Sequence, residues 1–283
     1  MNKIGFNLLA WSAAVSNEML PVAERLKKIG YDGIECFLGA ENRKVYQEFG
    51  SEVNDLDLDV TCVMTMGPDE NPISASEEVR QKGLDRIKWA IDRADDLNAE
   101  LICGPMHSAH ATFADKAPDE DEYKRSAEVL ARAGEYAAQA NIRLALEALN
   151  RFECYLCNTM EQLLTLVRKV DQPSVTALFD THHANIEEKN LREAIHTVEP
   201  VIGHVHISEN DRGTPGSGQV QWDEAFAALS EIGYEQWLTI ESFSRDDPGF
   251  ANSINVWREY NNPWDIAEQG YTFINQMCEK HGL

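Results

Sequence analysis

The chain is short of positive charge. Of its 283 residues, 25 are lysine or arginine and 48 are aspartate or glutamate, a formal net charge of −23. Such a surface repels phosphate backbones and anionic membranes unless a local basic patch exists. The longest basic clusters are pairs such as Lys27-Lys28, so neither nucleic acid nor membrane is an expected partner. No apolar run approaches the roughly 18 residues that a membrane span requires. Linkers, low-complexity stretches and abrupt shifts in composition are missing too, which predicts one domain over residues 1–283. Neither G-x-G-x-x-G nor G-x-x-x-x-G-K-[ST] follows a strand candidate, so the two common nucleotide fingerprints are absent. The first ten residues lack the apolar core and small-residue cleavage site of a signal peptide. Cys36, Cys62, Cys103, Cys154, Cys157 and Cys278 are therefore read as reduced thiols of a cytoplasmic protein. Cys154 and Cys157 form a C-x-x-C without a second pair, which is read as chance spacing.

What the chain does contain is alternation. Hydrophobic residues make up 43% of it, enough for a sizeable core. Apolar, β-rich runs fall at Ile4–Leu9, Gly33–Leu38, Val60–Met66, Leu101–Pro105, Arg143–Glu147, Val175–Asp180, Ile202–Ser208 and Leu238–Ser242. Amphipathic stretches lie between them, for example Leu20–Lys28, Ser76–Leu97, Glu122–Gln139 and Thr159–Val170. Thr159 followed by Gln162 reads as a capping box, and Pro21 suits the first turn of its helix. Eight strands alternating with eight helices, about 35 residues apart, predict a (β/α)8 TIM barrel of the α/β class.

In a TIM barrel the chemistry sits at the C-terminal ends of the strands. Strand five ends in Glu147, strand six in Asp180 and strand eight in Glu241, and strand seven carries His206 near its end. Each follows an apolar run and is expected to point inward. A strand-end carboxylate often does no more than cap a helix, but four potential ligands at matched ends of consecutive strands suggest a common task. Three adjacent carboxylates repel strongly at low dielectric unless a cation lies between them. Three carboxylates and one imidazole make a hard, oxygen-rich donor set that suits octahedral Mn²⁺, Co²⁺ or Mg²⁺ better than closed tetrahedral zinc. Strands five and eight lie three steps apart around the ring, which predicts Glu147 and Glu241 facing each other across the mouth. A carbon held between two such carboxylates can lose a proton from one face and regain it on the other. One general base supplies about 10²–10⁴-fold, roughly 3–5 kcal/mol, and a metal holding enediolate charge can add several more.

Longer motifs surround these residues. Glu147 opens E-x-L-N-R-F-E, ending at Glu153. Asp180-Thr181-His182-His183-Ala184-Asn185-Ile186-Glu187-Glu188 follows strand six. Gly203-His204-Val205-His206 leads to Glu209-Asn210-Asp211-Arg212, and Glu241-Ser242-Phe243 closes the series. Together they resemble the D-tagatose 3-epimerase and D-psicose (allulose) 3-epimerase family of xylose-isomerase-like barrels, from the first strand to Trp257. The resemblance implies a ketose 3-epimerase working through a cis-enediolate. Glu147, Asp180, His206 and Glu241 would hold the metal, usually manganese or cobalt, and Glu147 and Glu241 would be the acid/base pair. Glu153, His183 and Arg212 match positions that bond the ketose around O1 and O2. His110 and Phe243 are further candidates for the pocket wall. His182 replaces a usual phenylalanine and His110 a frequent tryptophan. These departures are expected to line the far end of the sugar and raise a second substrate class, a keto-inositol or an oxidised (keto) glycoside. A homo-oligomer, dimer or tetramer, is compatible with the family. A nuclease of the apurinic-endonuclease branch resembles the same barrel but needs a zinc cluster and a basic face, which the charge opposes.

Other residues carry weaker expectations. His204 is read as a core histidine one layer below His206. Glu35 either reaches the pocket or makes a structural hydrogen bond. His107 is open between pocket wall and loop surface. Cys36, Cys62 and Cys103 are read as small core residues. The stretch from Phe243 to Pro263, with Trp257 and Tyr260 and with Trp264 just beyond it, shows no clear secondary structure; a lid, a subunit contact and ordinary packing against the barrel rim are all open, and a lid or subunit contact is expected.

Overall fold

The computed structural model describes residues 2–39, 42–259 and 261–283; Tyr260 lies outside them. Eight parallel strands close into a barrel in sequence order. They are β1 (Lys3–Asn7), β2 (Gly33–Phe37), β3 (Asp59–Val63), β4 (Leu101–Gly104), β5 (Arg143–Glu147), β6 (Val175–Asp180), β7 (Ile202–Ile207) and β8 (Trp237–Ile240). All eight predicted strands are present, most of them ending one to three residues before their apolar run does. The helices among the described residues are α1 (Leu20–Ile29), α2 (Arg43–Asp55), α3 (Glu77–Asp96), α4 (Glu120–Gln139), α5 (Met160–Val170), α6 (Thr181–Glu187), α7 (Leu191–Val198), α8 (Trp222–Glu231), α9 (Pro248–Ser253) and α10 (Pro263–His281). Two exceed the expected eight. α6 is a short helix fired directly off the end of β6, and α9 sits inside the stretch read as irregular.

Local chemistry explains the helix starts. Thr159 and Gln162 form the predicted capping box at the head of α5, and Asp119 with Glu122 forms another at α4. Asp247 accepts a hydrogen bond from the Phe250 amide at 3.0 Å, and Pro248 needs no partner for an amide it lacks, so α9 starts there. α5 buries Leu163, Leu166 and Val167 against the barrel. At about 1.5–3 kcal/mol per buried aliphatic side chain, this face stabilises the helix far more than its cap does.

Strand alternation sorts the core into two environments. Outward-facing residues such as Phe6, Ile34, Leu144, Phe179 and Val205 pack against the helices. Inward-facing residues include Leu101, Cys103, Ala145 and Leu178. Trp237 fills the floor, and Gly5 and Gly33 make room: a Cβ at Gly33 would meet the Trp237 ring at 2.5 Å. Above the floor the interior turns polar, with Asn7, Glu35, Thr61, His204, His206 and Thr239 all fully or almost fully buried. Between β6 and β7 the register slips: Ala177 pairs with Ile202 but Leu178 with His204, so Gly203 is an extra residue. Past that bulge, Asp180 stands beside His206. No helix among the described residues is long and apolar enough to cross a membrane.

Candidate functional site

At the C-terminal mouth, β5, β6, β7 and β8 deliver Glu147, Asp180, His206 and Glu241 to one place, with one potential ligand atom from each within 4.8 Å of the others. All four are buried. Asp180 divides its carboxylate. Oδ1 accepts from the backbone amides of His182 and His183 at 2.6 and 3.3 Å, capping α6, while Oδ2 faces the site. Helix capping and site-building are therefore both served by this residue.

Arg212 sits among these groups. Its Nη1 donates to Asp180 Oδ2 at 2.8 Å and to Glu241 Oε2 at 2.9 Å, and its guanidinium lies 4.9 Å from the Phe243 ring centroid. Its backbone is left-handed, φ 62°, in a turn closed by its own amide on the Glu209 carbonyl at 3.0 Å. A non-glycine residue costs roughly 1–2 kcal/mol there. The Glu209 carboxylate holds the surrounding loop, accepting from Trp222 Nε1 at 3.0 Å and from the amides of Gly216, Gln219 and Val220.

The electrostatics follow from burial and crowding. Burial first, then repulsion from Glu241 and Asp180, pushes Glu147 well above the usual carboxylate range. Burial pushes Asp180 the same way, but Arg212 and His183 outweigh it and hold the carboxyl well below its ordinary value. Burial opposes the charged form of His206, yet Glu35 and Glu241 raise it well above an ordinary imidazole. His183 goes the other way, down to about 3, because it is desolvated beside Arg212.

These residues fit a divalent cation. Glu147 Oε1 and His206 Nδ1 are buried and have no hydrogen-bond partner, although an unpaired buried polar atom is costly. His206 Nδ1 lies 3.6 Å from Asp180 Oδ2 and 3.5 Å from Glu241 Oε2. A cation would satisfy both orphaned atoms and relieve the carboxylate repulsion at once. Two neighbouring clusters are less suited. Glu35, Cys103, His204 and His206 also converge, but the Glu35 oxygens already accept from five side chains. Glu153, His182 and His183 converge as well, but His183 Nδ1 already accepts from the Asn150 amide at 3.1 Å.

Above the four lies a cavity of about 640 Å³, of a size usual for small-molecule sites. Glu153, His183, Arg212, His110 and Phe243 all line it. His110 and His182 both line the cavity. His110 Nε2 is 3.9 Å from Glu153 Oε2, and His182 clusters with Glu153 and His183. Both therefore stand beside Glu153. The loop that carries His110 is tied back by the Ala111 amide on the Glu153 carbonyl at 2.8 Å, a contact between distant segments that sequence spacing does not encode. His204 is a buried histidine bonded to Glu35 at 3.1 Å. His107 is neither wall nor surface: it is fully buried behind the site, with Nε2 on the Glu147 carbonyl at 2.8 Å. The Phe243–Pro263 stretch contributes Phe250, Ile254 and Val256 to the cavity wall. Trp257 is largely exposed, whereas Trp264 packs on Trp11. Asn7, whose amide reaches both Glu35 and Glu241, went unread in the sequence because it only closes β1.

Comparison with known proteins agrees with this geometry. Residues 23–262 match the xylose isomerase-like TIM barrel family. A D-psicose 3-epimerase of Agrobacterium fabrum is 30% identical over 283 residues, covering 98% of this chain and 97% of that protein. An L-ribulose 3-epimerase of Mesorhizobium japonicum is also 30% identical, covering 99% and 95%. A solved L-ribulose 3-epimerase structure superposes with a TM-score of 0.93 at 30% identity, over 100% of this chain and 96% of that one. With its closed barrel and four-residue centre, the chain belongs to the xylose isomerase-like TIM barrel family and, within it, to the ketose 3-epimerases.

Proposed function

We propose that this protein is a metal-dependent ketose 3-epimerase in which Glu147 and Glu241 exchange a proton at C3 of the substrate. The observation that carries the reading is the pair of buried carboxylates from β5 and β8, converging with an imidazole and a third carboxylate at the floor of a sugar-sized cavity. Two-base exchange needs one partner protonated and the other ionised. In the metal-free protein, burial and the nearby Glu241 charge favour the protonated form of Glu147.

Glu147, Asp180, His206 and Glu241 would hold the cation. Mn²⁺ is the ion we favour, since hard oxygen donors with one imidazole suit it; Co²⁺ and Mg²⁺ are alternatives. When bound, the cation supplies Lewis-acid stabilisation of the negative charge that builds on the ketose oxygens. The chain's own groups do the rest. His183 Nδ1 accepts from the Asn150 amide at 3.1 Å, and its Nε2 lies 2.9 Å from Arg212 Nη2. Both side chains line the cavity together, a polar corner that fits O1 or O2 of the ketose. Glu153 completes that corner, and Phe243 with Phe250 keeps water from the reacting carbon. A free sugar is favoured, since no phosphate-binding glycine loop is present. The acidic composition and free thiols support a cytoplasmic site of action. The exposed Phe152 and Trp257 side chains favour a homo-oligomer, which sedimentation would detect.

Metal-free protein reloaded with Mn²⁺ and incubated in D₂O with a panel of free ketoses tests the reading. Deuterium at C3 and formation of the C3 epimer are expected, both dependent on metal. Glu241→Gln should abolish turnover with the fold intact, and retained activity would sink the two-base assignment. The polar corner of His110, His182 and Glu153 favours a second reading, a keto-inositol or oxidised glycoside. Tight metal binding without exchange on any simple ketose would select it.

A further inference from the structure

One buried carboxylate plays no part in the chemistry above yet touches one of its groups and reaches a second through Asn7. Glu35 is fully buried on β2, below the cavity and outside its lining. Its Oε1 accepts from His206 Nε2 at 2.8 Å and from Asn7 Nδ2 at 2.9 Å. Its Oε2 accepts from Thr61 Oγ1 at 2.9 Å, from His204 Nε2 at 3.1 Å and from Cys103 Sγ at 3.3 Å. Asn7 cannot turn its amide round, because Oδ1 accepts from the Leu9 backbone at 2.9 Å. Its Nδ2 therefore faces Glu35, and it also reaches Glu241 Oε1 at 3.3 Å.

We propose that Glu35 is a positioning residue that serves the metal ligand and the acid/base group together. It holds the hydrogen of His206 on Nε2, so that Nδ1 is the nitrogen aimed at Asp180 and Glu241. Through the Asn7 amide it sets the rotation of the Glu241 carboxylate. Carboxylate–imidazole pairs behind metal-binding histidines fix tautomer and ring orientation, and their loss typically weakens metal binding or activity by about 10–100-fold. Here the same carboxylate reaches a second functional group by one more hydrogen bond. A merely structural Glu35 would give stability alone.

The inference rests on the assignment of His206 as a metal ligand and Glu241 as an acid/base group, and the experiment separates the two. Wild type and Glu35→Gln are compared for Mn²⁺ affinity, for the visible spectrum of the Co²⁺ form, and for kcat and KM at saturating metal. Even with its amide oxygen turned to His206, glutamine offers a neutral acceptor in place of a charged one. The expected result is Mn²⁺ binding weakened by about 10–100-fold, a changed Co²⁺ spectrum, and a lowered kcat with KM nearly constant, since Glu35 does not line the cavity. In the Mg²⁺-loaded wild type, histidine ¹⁵N–¹H spectra should show a slowly exchanging, far-downfield Nε2–H on His206. Unchanged metal affinity and an unchanged Co²⁺ spectrum in Glu35→Gln would overturn the proposal while leaving the epimerase reading intact. If the variant does not fold, the wild-type spectrum decides, and a His206 ring without that Nε2–H resonance overturns the proposal. Wild type that binds no divalent ion overturns both.

Discussion

Replacing Arg212 by alanine removes the one guanidinium that bridges Asp180 and Glu241. In metal-free protein these two carboxylates, with Glu147 beside them, are left buried with His206 as their remaining counter-charge. Breaking a buried pair in this way costs about 3–5 kcal/mol. Loss of the stack on Phe243 adds roughly 0.5–2 kcal/mol. In metal-loaded protein the cation neutralises the same oxygens, so most of the first cost disappears and the second remains. The penalty should therefore shrink by about 2–3 kcal/mol when Mn²⁺ is bound. By linkage, the variant should bind Mn²⁺ on the order of 100-fold more tightly than wild type while losing turnover. Urea denaturation with and without metal, together with calorimetric titration, measures both sides of the cycle. Arg212→Gly provides an internal check, because it alone relaxes the left-handed backbone and should recover about 0.5–1 kcal/mol relative to alanine. An equal penalty in both metal states, or weaker Mn²⁺ binding by the alanine variant, would refute the idea that Arg212 and the cation share these carboxylates.

Mn²⁺ affinity should rise with pH and binding should release protons, because Glu147 and His206 are both shifted towards their protonated forms without metal; calorimetry in buffers of different ionisation enthalpy counts them. His107 is held neutral by burial, its value lowered to about 4 from 6.5. The unfolded chain therefore binds the extra proton first, and stability present above about pH 6.5 falls as pH drops towards 4. His107→Gln should flatten that limb by about 3 kcal/mol in pH-dependent denaturation; an unchanged slope would show that His107 does not titrate this way. Gly104 ends β4 at φ 119°, where a Cβ would stand 2.2 Å from the Met64 carbonyl oxygen. Gly104→Ala should cost roughly 2–5 kcal/mol by thermal unfolding. His182→Phe removes a polar group from the Glu153 corner and should shift relative kcat/KM towards simple ketoses; an unchanged substrate order would clear His182 of a role in selection.

Much of this was legible in the chain. The four potential ligands stood out because each stands at or near the end of an apolar run, at matched ends of four consecutive strands. The barrel followed from alternation and even spacing. The groups that support the site were less visible for a geometric reason. Glu35, Asn7 and His107 lie on β2, β1 and the loop after β4, and their relation to His206, Glu241 and Glu147 exists only once the sheet closes. Sequence distance between Glu35 and His206 is large, while their atoms touch. The approach of His110 to Glu153 was hidden for the same reason, because the loop after β4 folds back on the Glu153 carbonyl. α9 was missed because six residues are too few to show a helical period, although Asp247-Pro248 was an available cap signal.

The extra residue at Gly203 has a consequence for how such a centre is gained or lost. Side chains along a strand take sides by parity, and a single added position reverses every side downstream of it unless a bulge takes it up. The bulge admits only a very small residue, since a Cβ there would lie 2.3 Å from the Thr176 hydroxyl. The ladder resumes at once, with His204 beside Leu178 and His206 beside Asp180. Because Ile202 and His204 already pair with consecutive residues of β6, a chain without this glycine would keep His206 beside Asp180. The centre is thus buffered against a change of strand length that elsewhere would turn a ligand away from its partners.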